Sequence, residues 1–125
     1  MLQKLKYFAG LAIAAGTLFA QPRITEVVNG ASYIPNGLPG SGVAQGAIAV
    51  VKGTNLGPAE LIQSGIPRPT TLGGTSIRIS VGGTEVSGLM VYSSAGQLAF
   101  VLPSNTPVGN AVARVPYNGQ TSDPY

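Results

Sequence analysis

Four carboxylates are the residues in this chain best suited to acid–base chemistry: Glu26, Glu60, Glu85 and Asp123. Glycoside hydrolysis would need two of them to converge on one bond. Their spacing argues against it: Glu26 falls in an opening strand, Glu85 beside a hairpin and Asp123 close to position 125. The chain has no histidine and no cysteine. Ser-His-Asp and Cys-His catalysis therefore cannot be assembled within it, nor can ordinary zinc, copper, haem or iron–sulfur sites. No disulfide can form. The expectation is a protein that is not an enzyme, with no catalytic residue, metal or cofactor.

Three other patterns invite a binding role. Gly40-Ser41-Gly42-Val43-Ala44-Gln45-Gly46 looks like a phosphate loop, but its spacing departs from GxGxxG, no lysine follows, and a strand comes next where a helix is required. It reads as a turn. Gly53-Thr54-Asn55-Leu56-Gly57 places polar groups at a strand end. Asn55 has only Glu60 near it in sequence, too few oxygens for calcium, so Thr54 and Asn55 read as residues that bond nearby backbone and tolerate turn geometry. The aromatic side chains Tyr33, Tyr92, Phe100, Tyr117 and Tyr125 could offer platforms for sugars. Phe100 lies on a core face by alternation, so Tyr33, in a long loop, and Tyr117, beside a hairpin, are the candidate ligand-binding residues. Tyrosines that cap a core with their hydroxyls at water are the plainer interpretation.

The elements that must carry these residues follow from composition. The chain has 125 residues, of which 18 are glycine and 10 proline, while 44% are hydrophobic and only 9% charged. It is too apolar for a disordered tail and too rich in helix breakers for a bundle. Lys4 and Lys6 precede an apolar run from Tyr7 to Phe19, closed by small Ala20. That is the layout of a secretory signal peptide over 1–20, cut after Ala20. The run of about 13 apolar residues falls short of the roughly 20 a membrane span needs. The expected location is secreted or extracytoplasmic, in the periplasm or at the cell surface. Without the leader the basic residues are Arg23, Lys52, Arg68, Arg78 and Arg114, and net charge falls from +3 to +1. No basic cluster survives, so neither nucleic acid nor a membrane span is expected as a partner.

From Gln21 to Tyr125 the pattern predicts one all-β domain of about seven short strands. They are Ile24–Val28, Ala47–Lys52, Ser76–Val81, Thr84–Val86, Leu89–Tyr92, Gln97–Leu102 and Asn110–Val115. Gly82-Gly83 and Asn118-Gly119 are hairpin turns. The stretches 30–46 and 55–74, rich in proline and glycine, read as surface loops. The expected core is Ile48, Val50, Ile77, Ile79, Leu98, Phe100 and either Val112 or Val115, buried between two sheets. After Asn118-Gly119 only six residues follow, too few for a full return strand, so the domain reads as C-terminally truncated with its last strand missing. The exposed β-edge left behind would receive a protein partner or neighbouring domain.

Several phrases carry a resemblance. Ala47-Ile48-Ala49-Val50-Val51-Lys52-Gly53-Thr54-Asn55-Leu56-Gly57 resembles the strand and Gly-Thr-Asn-Leu corner of the IPT/TIG family of immunoglobulin-like domains. Ile79-Ser80-Val81-Gly82-Gly83 and Gln97-Leu98-Ala99-Phe100-Val101-Leu102-Pro103, with Gly109 and Asn118-Gly119 behind, resemble its later segments. Val27-Val28-Asn29-Gly30-Ala31-Ser32-Tyr33 and Ile66-Pro67-Arg68-Pro69-Thr70-Thr71-Leu72-Gly73-Gly74 are similar to phrases of an uncharacterised TIG-like domain found at the C-terminus of many secreted bacterial proteins. The chain departs from it at Gly30, where the family phrase has alanine, in its last strand, and in following a leader directly. The resemblance implies an immunoglobulin-like β-sandwich acting as a structural or adhesive module of a larger extracellular or cell-surface bacterial protein. It brings no catalytic residues. The alternative is a module that binds cell-surface glycan through Tyr33 and Tyr117.

Overall fold

The computed structural model describes residues 20–125, so the leader expected over 1–20 lies, but for Ala20, outside the described residues. The described chain is all-β. Its strands are β1 (Arg23–Asn29), β2 (Ile48–Thr54), β3 (Ile62–Gln63), β4 (Arg78–Val81), β5 (Thr84–Ser87), β6 (Leu89–Ser93), β7 (Gln97–Val101), β8 (Ala111–Arg114), β9 (Pro116–Tyr117) and β10 (Gln120–Thr121). All seven expected strands are present, their bounds shifted by at most two residues. Every pairing is antiparallel. One sheet runs β1-β2-β7-β6-β3, a second β5-β4-β8, and β9 pairs with β10.

Turn chemistry explains the tight connections. Gly82 and Gly83 have φ of 55° and 86° and join Val81 to Thr84 directly. Asn118 and Gly119 have φ of 53° and 77° and join Tyr117 to Gln120. Two successive positive φ values make the hairpin turn whose twist matches that of the strands.

The core lies between the two large sheets. Ala49 and Val51 of β2, Met90 of β6 and Leu98 and Phe100 of β7 meet Ile79 and Val81 of β4 and Ala113 of β8 in one cluster, completed by Ile77 and Val115. Burying each of the larger side chains stabilises the fold by about 1.5–3 kcal/mol. Two of the expected core residues, Ile48 and Val50, need correction, since neither belongs to the cluster between the sheets, while the choice between Val112 and Val115 falls to Val115. Ile48 is 45% exposed and Val112 37% exposed. Inward-facing positions of β2 are Ala49 and Val51, one step out of phase with the Ile48 expectation, and of the valine pair only Val115 is buried.

Val50 is buried on the opposite face. It packs with Val28 and Ala99 in a second cluster, against Val91 and Tyr92. A bulge in β6 sets this up: Met90 pairs with Phe100 and Tyr92 with Ala99, leaving Val91 as the extra residue. Both Val91 and Tyr92 then join the outer cluster, while Met90 and Ser93 stay inside.

The stretch 55–74 is pinned along the β6 side of the large sheet and contains β3, which alternation did not reveal. Ser64 donates its backbone N–H to Val91 O (2.9 Å) and its hydroxyl to Met90 O (2.7 Å), and the Met90 N–H donates to Pro69 O (2.7 Å). Beyond β10 the chain runs back along β8. Ser122 N donates to Val115 O at 3.0 Å, and Ala113 and Tyr125 exchange both backbone bonds at 3.0 Å. This segment lies on the side of β8 away from β4, because a residue in an antiparallel ladder turns both its backbone groups to one neighbour.

Candidate functional site

A large concavity is lined in part by β1 and β8, edge strands of the two sheets. It has a volume of about 770 Å³. Its floor is core: Val27 of β1, Ile79 and Val81 of β4, Phe100 and Leu102 at the end of β7, and Ala113 of β8. Its rim is built from residues 42–45 of the first long loop, residues 106–111 leading into β8, and Asn36 with Tyr125.

The two rim loops are braced against each other. Gly46 N donates to Leu102 O at 2.7 Å, and the Gln45 side-chain amide donates to Thr106 O. Thr106 is buried, and its hydroxyl donates to Pro103 O at 2.6 Å. Asn36 Nδ2 donates to the Tyr125 hydroxyl at 3.2 Å. Positive φ at Gly40, Gly42 and Gly46 lets the first loop follow this path, so the glycine-rich stretch is a turn, as its spacing implied.

No lysine, arginine, aspartate or glutamate lines the cavity. Chemically it can bury apolar side chains and exchange hydrogen bonds at its rim. A smaller hollow of about 310 Å³ lies beside β1 between Gln21–Ile24 and Asp123–Pro124. There Gln21 Nε2 donates to Thr121 O at 2.7 Å and approaches Asp123 Oδ1 at 3.4 Å.

Neither tyrosine singled out from the sequence lines the large cavity. Tyr33 follows β1 in a left-handed conformation (φ 54°) and is 46% exposed. Asn29 shapes that turn by accepting from Ala31 N at 2.8 Å and Ser32 N at 3.3 Å. The Lys52 ammonium stands 5.3 Å from the Tyr33 ring centroid, within cation–π range. Tyr117 is half-buried in β9, bridged to Thr75 and with its ring beside Gly74. The two share no hydrogen-bonding or ring-packing neighbour among these contacts.

The carboxylates are distributed over separate elements. Glu26 pairs with Lys52 across β1 and β2, Glu60 stands in the stretch before β3, and Glu85 in β5 lies 3.9 Å from Arg78. Among the described residues no group of three His, Cys, Asp or Glu could hold a metal ion. No helix among them is long and apolar enough to cross a membrane.

The Gly53–Gly57 corner is a packing device. Asn55 takes φ 53°, Leu56 is fully buried, and Gly53 N and Leu56 N donate to Gly96 O (3.1 Å) and Ala95 O (2.9 Å). The bonds come from backbone there, with the Thr75 hydroxyl donating to Leu56 O at 2.9 Å. The rim residues Gln45, Thr106 and Tyr125 were not singled out from sequence. They act through contacts between segments 61 and 89 positions apart, which no local spacing encodes. No family model matches the chain, and no curated protein matches it.

Proposed function

We propose that the chain is a non-catalytic, extracytoplasmic contact module: an immunoglobulin-like β-sandwich of the IPT/TIG kind that serves as a structural or adhesive part of a bacterial surface protein. The observation that carries this is the large cavity, whose lining holds no ionisable side chain except the Tyr125 phenol. Such a surface is suited to holding another chain by burial and backbone hydrogen bonds, and ill suited to proton transfer. The basic start and apolar run before Ala20 support delivery outside the cytoplasm.

The test is to express the full chain in a bacterium and determine its location and first residue. Recovery outside the cytoplasm with Gln21 at the N-terminus supports the reading. An intact chain retained in the cytoplasm overturns it.

A glycan-binding reading rests on Tyr33, an exposed ring beside a lysine. A glycan array separates the two: binding abolished by Tyr33→Ala and by Tyr117→Ala favours the sugar module, and a blank array removes it.

A further inference from the structure

Residues 20–125 contain five basic side chains: Arg23, Lys52, Arg68, Arg78 and Arg114. Four of them stand in paired strands. Arg23 opens β1 opposite Thr54, and Lys52 lies in β2 between Glu26 of β1 and Gln97 of β7. Arg78 lies in β4 between Ser87 of β5 and Arg114 of β8. The residues that follow them are held as well. Ile24, Ile79 and Val115 are buried, Gly53 N donates to Gly96 O at 3.1 Å, and Val115 N donates to Ser122 Oγ at 2.8 Å.

Arg68, the basic residue that lies in a long loop, is followed by Pro69. The Arg68–Pro69 bond ends on a ring nitrogen that has no N–H, and the ring crowds the residue before it. Pro69 O accepts the Met90 N–H at 2.7 Å, and Arg68 Nη1 donates to Ser64 Oγ at 3.2 Å. The stretch 30–46 has no lysine or arginine, nor has the segment 102–110. Exposed loops are where folded chains are ordinarily nicked.

We propose that the folded domain is refractory to endopeptidases that cut after lysine or arginine. Such an enzyme seats its substrate as an extended strand, by backbone hydrogen bonds on both sides of the bond it cuts. At Arg23, Lys52, Arg78 and Arg114 the chain is already engaged in the ladders of its own sheets. The enzyme must wait for those strands to part, and the inner strands β2 and β4 part only in the larger openings of the fold. At Arg68 the bond itself is unsuitable, and the guanidinium that would enter the enzyme's acidic pocket is tied to Ser64. The loops are therefore long without offering this class of enzyme a bond. The inference goes beyond the contact-module reading and does not depend on it.

The test is limited digestion of the full chain by trypsin, with the bonds cut within residues 20–125 identified by mass. Urea-unfolded chain should be cut after Arg23, Lys52, Arg78 and Arg114, and the folded protein at least about a hundredfold more slowly. Two variants place a lysine in each long loop: Ala44→Lys before exposed Gln45, and Thr70→Lys before exposed Thr71. Both positions are at the surface, so the folded signal should be retained. Each variant should be cut after its new lysine at least about tenfold faster than the unaltered protein is cut at any of its own sites. Faster cleavage of the folded, unaltered protein than the hundredfold limit allows, at any of the five sites, overturns the proposal. So does resistance of both lysine variants, which would assign the protection to rigid loops and not to the placement of the basic residues. Location and glycan-array results do not bear on these outcomes, so the two readings fail separately.

Discussion

Gly88 is pressed against the ring of Phe100: a Cβ on residue 88 would stand 2.5 Å from Phe100 Cδ2 and 2.6 Å from Ile77 Cγ2. Its backbone extends the β4–β5 ladder by one pair, donating to Ile77 O at 3.0 Å. Gly88 therefore sits where β5 passes into β6, with the Phe100 ring of the larger sheet packed directly on its backbone. Gly88→Ala should cost about 1–3 kcal/mol, the usual range for overpacking a filled core. Urea denaturation of the variant checks it, with an unchanged midpoint counting against the close approach.

Two buried hydroxyls near Gly57 should respond in opposite ways. Thr75 is fully buried and donates to Leu56 O. Thr75→Val keeps its shape but leaves that carbonyl without its partner, at a cost of about 1–3 kcal/mol. Ser93 is also fully buried, and its Oγ has no hydrogen-bond partner. Ser93→Ala should leave stability unchanged or raise it by about 1 kcal/mol. Calorimetric melting of the pair tests the contrast.

The phase of β2 can be tested by two truncations. Leu98→Ala empties a fully buried site opposite Val51 and should cost about 2–5 kcal/mol. Ile48→Ala, three residues from Val51 on the same strand, removes a side chain already 45% exposed and should cost less than about 1 kcal/mol. Equal losses would mean that Ile48 faces the core.

At Tyr125 the backbone should matter more than the ring. Tyr125→Phe removes only the bond from Asn36 and should cost about 0.5–1 kcal/mol. Tyr125→Pro removes the N–H that donates to Ala113 O and should cost more, about 1–3 kcal/mol. It should also speed exchange of the Ala113 amide. The Arg78–Glu85 pair, more than half exposed on both sides, should contribute under about 0.5 kcal/mol, so Glu85→Gln is a control.

Much of this scaffold was legible in the residues. Ser76–Val81 alternates cleanly, and Ile77, Ile79 and Val81 are buried as the alternation requires. Gly82-Gly83 and Asn118-Gly119 announce their turns because few other pairs tolerate two positive φ values. The phase of β2 was not legible, since Ala47 to Val51 is apolar throughout and both faces of that strand are in fact covered. Nor was β3, whose two residues carry no period. The cavity was hidden for a different reason. Its floor comes from four strands and its rim from two loops, so it exists only once Val27, Phe100 and Ala113 are neighbours. Tyr33 and Tyr117 were chosen for ring type and turn context, and neither property says which hollow a ring will border.

The wiring of the large sheet also sets a clock. Val51 in β2 faces Val27, 24 positions upstream, and Leu98, 47 positions downstream. β2, an inner strand of that sheet, is therefore flanked on both sides only when β7 arrives. At a synthesis rate of about 5–20 residues per second, β2 waits several seconds for its second partner. Closure across such separations then takes milliseconds to seconds, slow for a domain of this size. Until β7 is made, β2 has β1 as its strand partner in that sheet and its other edge is open.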